Sequence, residues 1–142
     1  MKLGVFAIGK IKDPSLRHVA DDYFARIQRY VRCEEVELRD DSAWERALVS
    51  DATAIALEVN GKAWTSEQFA EQLERWARVN KGQIHFLIGG AEGIPRAVSQ
   101  RTHAALSLSS FTLPHRLARV LLYEQLYRAM TILRGEPYAR EG

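Results

Sequence analysis

The chain has 142 residues, of which 46% are hydrophobic and 27% are charged, and its formal net charge is +2. This length and mixture are typical of one globular domain, taken here as 1–142, without a low-complexity segment or linker. The small charge neither requires nor excludes a nucleic-acid partner, because a local basic patch can still bind RNA. No apolar run approaches the roughly 20 residues that a membrane span needs.

Cysteine usage indicates a reducing compartment. Cys33 is the one cysteine of the sequence, so an internal disulfide is excluded. Its neighbours Glu34 and Glu35 would raise the pKa of its thiol, which argues against a nucleophilic role. We therefore expect a soluble, cytoplasmic protein with no membrane partner.

The first half of the chain is predicted to alternate strands and helices. Pro14 suits the start of a helix, because its missing N–H would be unpaired there anyway. Apolar residues then recur at helical spacing as far as Ile27. The predicted elements are a strand at 3–8, this helix, a strand around 36–38, a short helix capped by Asp41 or Ser42 and running to Leu48, a strand at 53–59 and a turn at Asn60-Gly61.

The second half continues the alternation. Its predicted elements are a helix capped by Ser66 that ends by 80–82, a strand at 84–88, a helix from Pro95 over 96–101, a short strand at 105–108 and a long helix at 116–134. The fold class is therefore α/β, with a mainly parallel sheet flanked by helices.

A glycine-rich loop, Gly89-Gly90-Ala91-Glu92-Gly93, follows the buried strand at 84–88. It matches neither the dinucleotide fingerprint nor a P-loop. Its spacing fits a structural turn and a ligand loop equally well. Its place at the carboxyl end of a buried strand favours the ligand loop, because open α/β sheets bind ligands there.

A second loop, 107–113, leads into the longest helix. Its backbone groups and hydroxyls, together with the apolar side chains of Leu108, Phe111 and Leu113, suit an adenine ring. A short edge strand followed by a helix cap explains the same residues equally well.

The long helix at 116–134 is apolar around most of its girth, which fits a core helix or one that also forms a symmetric dimer contact. The four histidines show no metal-ligand spacing, so no metal site is expected. The C-terminal tail would fray if nothing held it. Its Tyr138 and Arg140 could instead dock on a neighbouring subunit or on an RNA base and phosphate.

Several motifs in order give the chain a family resemblance. They are Leu57 to Lys62 with Trp64, Leu73-Glu74-Arg75-Trp76, Leu87-Ile88-Gly89-Gly90 with Glu92-Gly93, Leu106-Ser107-Leu108-Ser109 with Thr112-Leu113-Pro114-His115, Arg119-Val120-Leu121, Glu124 with Leu126-Tyr127-Arg128-Ala129, and the tail Pro137-Tyr138-x-Arg140. In these motifs the chain resembles the RlmH family of SPOUT-class methyltransferases.

The resemblance implies a SPOUT-type α/β knot, with a C-terminal trefoil knot, in a homodimer that binds S-adenosyl-L-methionine. It implies methylation of N3 of pseudouridine-1915 in 23S rRNA within the assembled ribosome. The catalytic residues it implies are Tyr138 and Arg140. The implied cofactor-binding residues are Leu57, Gly90, Leu108, Ser109, Ser110, Phe111, Thr112 and Leu113.

Two departures from the family pattern bear on mechanism. Ala139 stands where a histidine is expected. We therefore expect a cation such as Arg140, and not a histidine base, to assist the reaction. The segment between Leu38 and Trp44 is short where a longer basic loop is expected, so RNA-binding cations are sought elsewhere. The candidates are Arg17, Arg26 and Arg29.

Three other functions stay open. The chain could be a SPOUT methyltransferase that acts on another RNA, such as transfer RNA. It could be a non-catalytic ribosome-binding protein that keeps the cofactor pocket. It could also be a small-molecule nucleotide-binding domain.

Overall fold

The computed structural model describes residues 1–48 and 51–141. Its strands are β1 (Lys2–Ile8), β2 (Arg32–Leu38), β3 (Thr53–Lys62), β4 (Gln83–Ile88) and β5 (Ala104–Leu106). Its α-helices are α1 (Pro14–Gln28), α2 (Trp44–Ala47), α3 (Ser66–Trp76), α4 (Arg96–Ser99), α5 (His115–Leu133) and α6 (Tyr138–Glu141). Short 3-10 turns lie at Asp41–Ala43 and Asn80–Gly82.

The strands form one sheet in the order β2-β1-β4-β3-β5, and every pairing is parallel. This confirms the predicted α/β class with a parallel sheet. Because the strands are parallel, their carboxyl ends lie along one edge of the sheet, where ligands bind in open α/β folds.

The two faces of the sheet are covered unequally. Residues such as Val5 and Phe86 point to the face covered by α1, α3 and α5, where the larger apolar core lies. Phe6 and Leu87 point to the other face, where a smaller cluster packs on Trp44 of α2 and on α4. Alternate strand residues thus supply two cores, as the period of two in a strand requires. No helix in the part of the chain described here is both long enough and apolar enough to cross a membrane.

The helix caps differ from the prediction by one residue. Thr65, not Ser66, caps α3 in a capping box, since its hydroxyl accepts from the Gln68 N–H and the Gln68 side chain accepts from the Thr65 N–H. Asp40, not Asp41 or Ser42, caps the 3-10 turn before α2. The rule that polar residues cap helices was right, but it could not choose among adjacent polar residues.

Some predicted bounds were also wrong. The short helix before Leu48 is a 3-10 turn followed by one turn of α-helix, and the helix predicted at 96–101 ends at Ser99. The predicted turn at Asn60-Gly61 does not end β3, which runs on to Lys62. The reason is that Gly61 serves a close approach between backbones, since a Cβ there would lie 2.7 Å from the Ala105 carbonyl carbon.

Candidate functional site

A cleft of about 380 Å³ opens at the carboxyl edge of the sheet. The strand order β4-β3-β5 creates it, because the loops that follow β4 and β5 flank the end of β3. Leu57 of β3 and the two loops that the sequence singled out therefore line one cavity.

The loop after β4 is shaped by its glycines. The Gly93 N–H donates to the Gly90 carbonyl at 3.0 Å, and Gly93 has a φ of +81°, which favours glycine. A Cβ on Gly89 would lie 2.3 Å from the Gly93 carbonyl carbon, so no side chain fits there. The tight turn brings the loop backbone directly to the cleft.

The loop after β5 forms the opposite wall. The Ser109 hydroxyl accepts from the Phe111 N–H at 2.9 Å, and the Ser107 hydroxyl donates to the Ser109 carbonyl at 3.0 Å. These local bonds hold an otherwise irregular loop. Phe111 lines the cleft yet is 79% exposed, so it offers an aromatic face to a ligand.

Residues of β3 that the sequence reasoning missed complete the cleft. Leu57 and Lys62 both pair with Leu106, so 58–61 form an irregularity opposite a single residue of β5. Glu58, Val59 and Asn60 of this irregularity line the cavity. Gly61 within a strand pattern was the available signal, because an isolated strand glycine often marks a bulge.

Glu58 and His115 are ionisable groups of the cleft. The Glu58 carboxylate accepts from the Ser99 hydroxyl at 2.8 Å, which fixes its direction. Burial, with the nearby charges of Arg116 and Arg119, lowers the pKa of His115 below its ordinary value. His115 is therefore neutral at pH 7, and its Nε2 lies 3.1 Å from an Arg116 guanidinium nitrogen.

A buried ionic network lies behind the cleft. Arg119 is 1% exposed, pairs with Glu35 at 3.4 Å and with Glu37, and donates to the Gly9 carbonyl at 3.0 Å. The Tyr123 hydroxyl also donates to Glu35. The network ties α5 to β2 and to the end of β1. Among the residues that the structure describes, none forms a hydrogen bond with Nε of Arg119.

Seven of the eight predicted cofactor-binding residues line the cleft: Leu57, Gly90, Leu108, Ser109, Phe111, Thr112 and Leu113. Ser110 is exposed and is not among the lining residues. Their roles in binding a cofactor stay predictions.

The predicted catalytic tail lies away from the cleft. Tyr138 donates to Glu124 at 2.9 Å, and its ring centroid lies 4.6 Å from that of Tyr127. Neither Tyr138 nor the exposed Arg140 lines the cleft. Ala118 marks the cleft end of α5, so Glu124 lies about 9 Å further along the helix axis, at 1.5 Å per residue.

The cations of α1 suggested for RNA are largely neutralised. Arg17 pairs with Asp21 at 2.8 Å and with Glu35 at 3.1 Å. Arg26 pairs with Asp22 at 3.0 Å, while Arg29 is exposed. The α1 surface is therefore a weaker candidate for phosphate binding than its sequence indicates.

The surroundings of Cys33 limit its reactivity. Cys33 is buried, and burial, then the charges of Glu34 and Glu35, raises the pKa of its thiol to about 12. The thiol is therefore protonated and a poor nucleophile. Within 1–48 and 51–141, no group of three or more metal-ligating side chains comes together.

Comparisons with known proteins bear on this arrangement. A family model described as "Predicted SPOUT methyltransferase" matches residues 1–139. A protein of Sorangium cellulosum (strain So ce56), named "Ribosomal RNA large subunit methyltransferase H", is 53% identical over 144 residues, covering 98% of this chain and 99% of the relative. Proteins of the same name from Anaeromyxobacter sp. (strain Fw109-5) and Bacillus cytotoxicus are 41% and 38% identical, each covering 97% of this chain and 99% of the relative.

A solved structure shows the same fold. It is described as "The structure of a probable methylase family protein from Haemophilus influenzae Rd KW20". It superposes with a TM-score of 0.61 at 11% identity, over 96% of this chain and 69% of that chain.

Proposed function

The chain belongs to the RlmH family of SPOUT methyltransferases, and from this premise we propose that it methylates large-subunit ribosomal RNA. The observation that carries the proposal is the similarity, over nearly the full length, to proteins named "Ribosomal RNA large subunit methyltransferase H". The two loops predicted to bind the cofactor also meet in one cleft. The finer proposal is transfer to N3 of pseudouridine-1915 in 23S rRNA, on the assembled ribosome in the cytoplasm.

The cofactor we propose is S-adenosyl-L-methionine, which supplies a methyl group on a positively charged sulfur. The cleft suits it in size, since ligand pockets range over about 300–1,000 Å³. Leu57, Leu108 and Leu113 offer an apolar slot for the adenine, and Phe111 offers an aromatic face. The Gly89–Gly93 turn lets backbone groups come close to a bound cofactor, because Gly89 has no Cβ that would collide with Gly93.

The tail would complete the chemistry at the target base. The pseudouridine N3 would release its proton to water before it takes the methyl group, and a cation near the base favours that release. The new N–CH₃ bond would form as the S–CH₃ bond breaks, which leaves the cofactor as a neutral thioether. Arg140 is exposed and is the tail residue suited to this role. Burial, with hydrogen bonds to Tyr23 and Glu124, raises the pKa of Tyr138, so its phenol stays protonated and anchors the tail.

The distance between tail and cleft supports a homodimer. Within one subunit, the tail docks beside Glu124, whereas the cleft reaches only the amino end of α5. Arg140 of one subunit would therefore act at the cleft of its partner. A symmetric dimer forms two such sites, since each contact is made twice. The trefoil knot expected of the family stays a proposal, and it would involve the two loops that meet over β3.

The test is methyl transfer from labelled S-adenosylmethionine to ribosomes that lack the modification. Label should appear at one pseudouridine of the 23S rRNA. Label on free transfer RNA instead would identify another RNA substrate. Cofactor binding without transfer to any RNA, beside an active control enzyme, would contradict the enzyme and favour a ribosome-binding protein.

A further inference from the structure

The loop between β1 and α1, residues 9–13 and here called the β1–α1 loop, lies beside the cofactor cleft. Ile8, the last residue of β1, has its Cγ2 3.3 Å from where a Cβ on Gly90 would be, so the end of β1 touches the glycine-rich loop. Arg116 Nε donates to the Lys10 carbonyl at 2.6 Å. Arg116 follows His115, which lines the cleft. Both contacts place the β1–α1 loop next to residues that line the cleft, although 9–13 do not themselves line it.

The β1–α1 loop is also held by β2, by α5 and by the hydrophobic core. The Gly9 N–H donates to the Leu38 carbonyl at 2.8 Å, and the Gly9 carbonyl accepts from the buried Arg119. Ile11 is 5% exposed, so its side chain anchors the loop in the core. Hydrogen bonds from β2 and α5, together with the buried Ile11, thus fix the backbone position of this short segment.

Lys10 and Lys12 flank the buried Ile11, and both are exposed. Among the residues described, neither has an ion-pair partner within 4.0 Å, in contrast to Arg17 and Arg26 of α1. The acidic neighbour, Asp13, is already used, since its carboxylate accepts from the Ser15 N–H at 2.8 Å as the cap of α1. Lys10 and Lys12 are therefore two uncompensated cations on a fixed loop beside the cleft.

We propose that Lys10 and Lys12 bind phosphates of the RNA strand beside the target nucleotide, and that Arg116 positions their loop. The inference rests on the proposed function, because it assumes that a target base is presented at the cleft. A base that enters the cleft brings its own backbone phosphates to the cleft edge. Lysines there neutralise those phosphates without reading sequence, which suits a role in placing the strand.

The test compares two double variants that each remove two positive charges. K10A/K12A removes the proposed contacts. K2A/R32A is the matched control, since Lys2 and Arg32 are exposed register partners at the amino edge of the sheet. The length of β1, seven residues, puts them about 20 Å from the cleft edge, at roughly 3.3 Å per residue.

Affinity for unmodified ribosomes is measured over a range of salt concentrations, with cofactor affinity and dimer mass as parallel readouts. K10A/K12A should bind ribosomes about tenfold or more weakly, and its salt slope should fall by about 1.4, or 0.7 per lost phosphate contact. Its cofactor affinity and dimer mass should equal those of the wild type. K2A/R32A should keep the wild-type slope.

Three results would overturn the inference: a wild-type salt slope in K10A/K12A, an equal loss in K2A/R32A, or a parallel loss of cofactor affinity or dimer mass. Failure of the proposed function gives a different result, because wild-type protein would then bind cofactor but leave the ribosomal RNA unlabelled.

Discussion

The two ends of α5 differ in how they are built. At its amino end, the cleft is shaped mainly by backbone, with glycine turns and an irregular strand, and it is open. Further along, side chains interlock around Glu124, which accepts from Arg128 at 2.7 Å and from Tyr138 at 2.9 Å. Between them lies the buried Arg119 network.

This difference separates two tasks. Backbone loops that exclude side chains suit recognition of a fixed small molecule, whereas a docked tail can hold a cation for the substrate. Variants of the cleft should therefore change cofactor affinity, and variants of the tail should change the transfer rate. Variants of the network between them should affect both through stability.

The largest effect is expected from Arg119→Met, which removes the connection between the two ends. It leaves Glu35 and Glu37 together without their buried cation, and unpaired buried charges cost about 3–5 kcal/mol of stability. We expect about 3 kcal/mol, because Arg17 still contacts both carboxylates. The free energy of unfolding is measured by urea denaturation.

Arg26→Ala is the control for that prediction. It breaks an exposed pair with Asp22 and should cost less than about 1 kcal/mol. Equal losses in the two variants would show that the Arg119 network is no more important than a surface pair.

Gly89→Ala tests the cleft alone. Its Cβ would collide with Gly93, and overpacking costs about 1–3 kcal/mol, so cofactor affinity should fall about tenfold or more. Equilibrium dialysis with labelled cofactor measures the dissociation constant. Ser110→Ala, on the opposite loop but outside the lining, should leave affinity within about twofold. Tight binding by Gly89→Ala would contradict the placement of the cofactor.

Tyr138→Phe tests the tail alone. It removes a hydrogen bond to the Glu124 carboxylate, which contributes about 1.5–3 kcal/mol, so single-turnover transfer should slow by about tenfold at unchanged cofactor affinity. Tyr30→Phe is the matched control, because the Tyr30 hydroxyl also donates to a carboxylate, that of Glu136, at 2.7 Å. It should leave the transfer rate unchanged. Slowing of both variants alike would mean that transfer depends on tethering of the C-terminal segment in general, and not on the Tyr138 contact in particular.

The smallest effect concerns pH. Burial would raise the pKa of Glu35, but hydrogen bonds from Arg17 and Tyr123 outweigh it and lower the pKa below its ordinary value of 4.5. The unfolded chain therefore takes up this proton first as pH falls. The stability from Glu35 is present above about pH 4.5 and is lost as pH falls through the lowered pKa.

Urea midpoints between about pH 6 and about pH 3 should show this loss, and Glu35→Gln should reduce the slope over that range. An unchanged slope in Glu35→Gln would exclude Glu35 as its source.

Sequence patterns revealed the parallel sheet and both cleft loops, because periodicity and glycine spacing are local signals. They missed Glu58 to Asn60, since Gly61 was taken as part of a turn although it allows β3 and β5 to approach. The Arg119 network could not be predicted from local patterns, because its partners are 82 to 110 residues apart in sequence. Tail docking likewise depends on tertiary contacts that no local pattern encodes.

The central claim is that cleft and tail of different subunits act together, and mixed dimers of Gly89→Ala and Arg140→Ala test it most directly. With the cofactor kept well below the wild-type dissociation constant, Gly89→Ala alone should transfer at about a tenth of the wild-type rate or less, and Arg140→Ala alone should be nearly inactive. In a mixed dimer, the intact cleft of one subunit faces the intact tail of the other. Random mixing should then restore about a quarter of wild-type transfer, because half of the dimers carry one intact site. Mixed dimers no more active than either parent would contradict the claim.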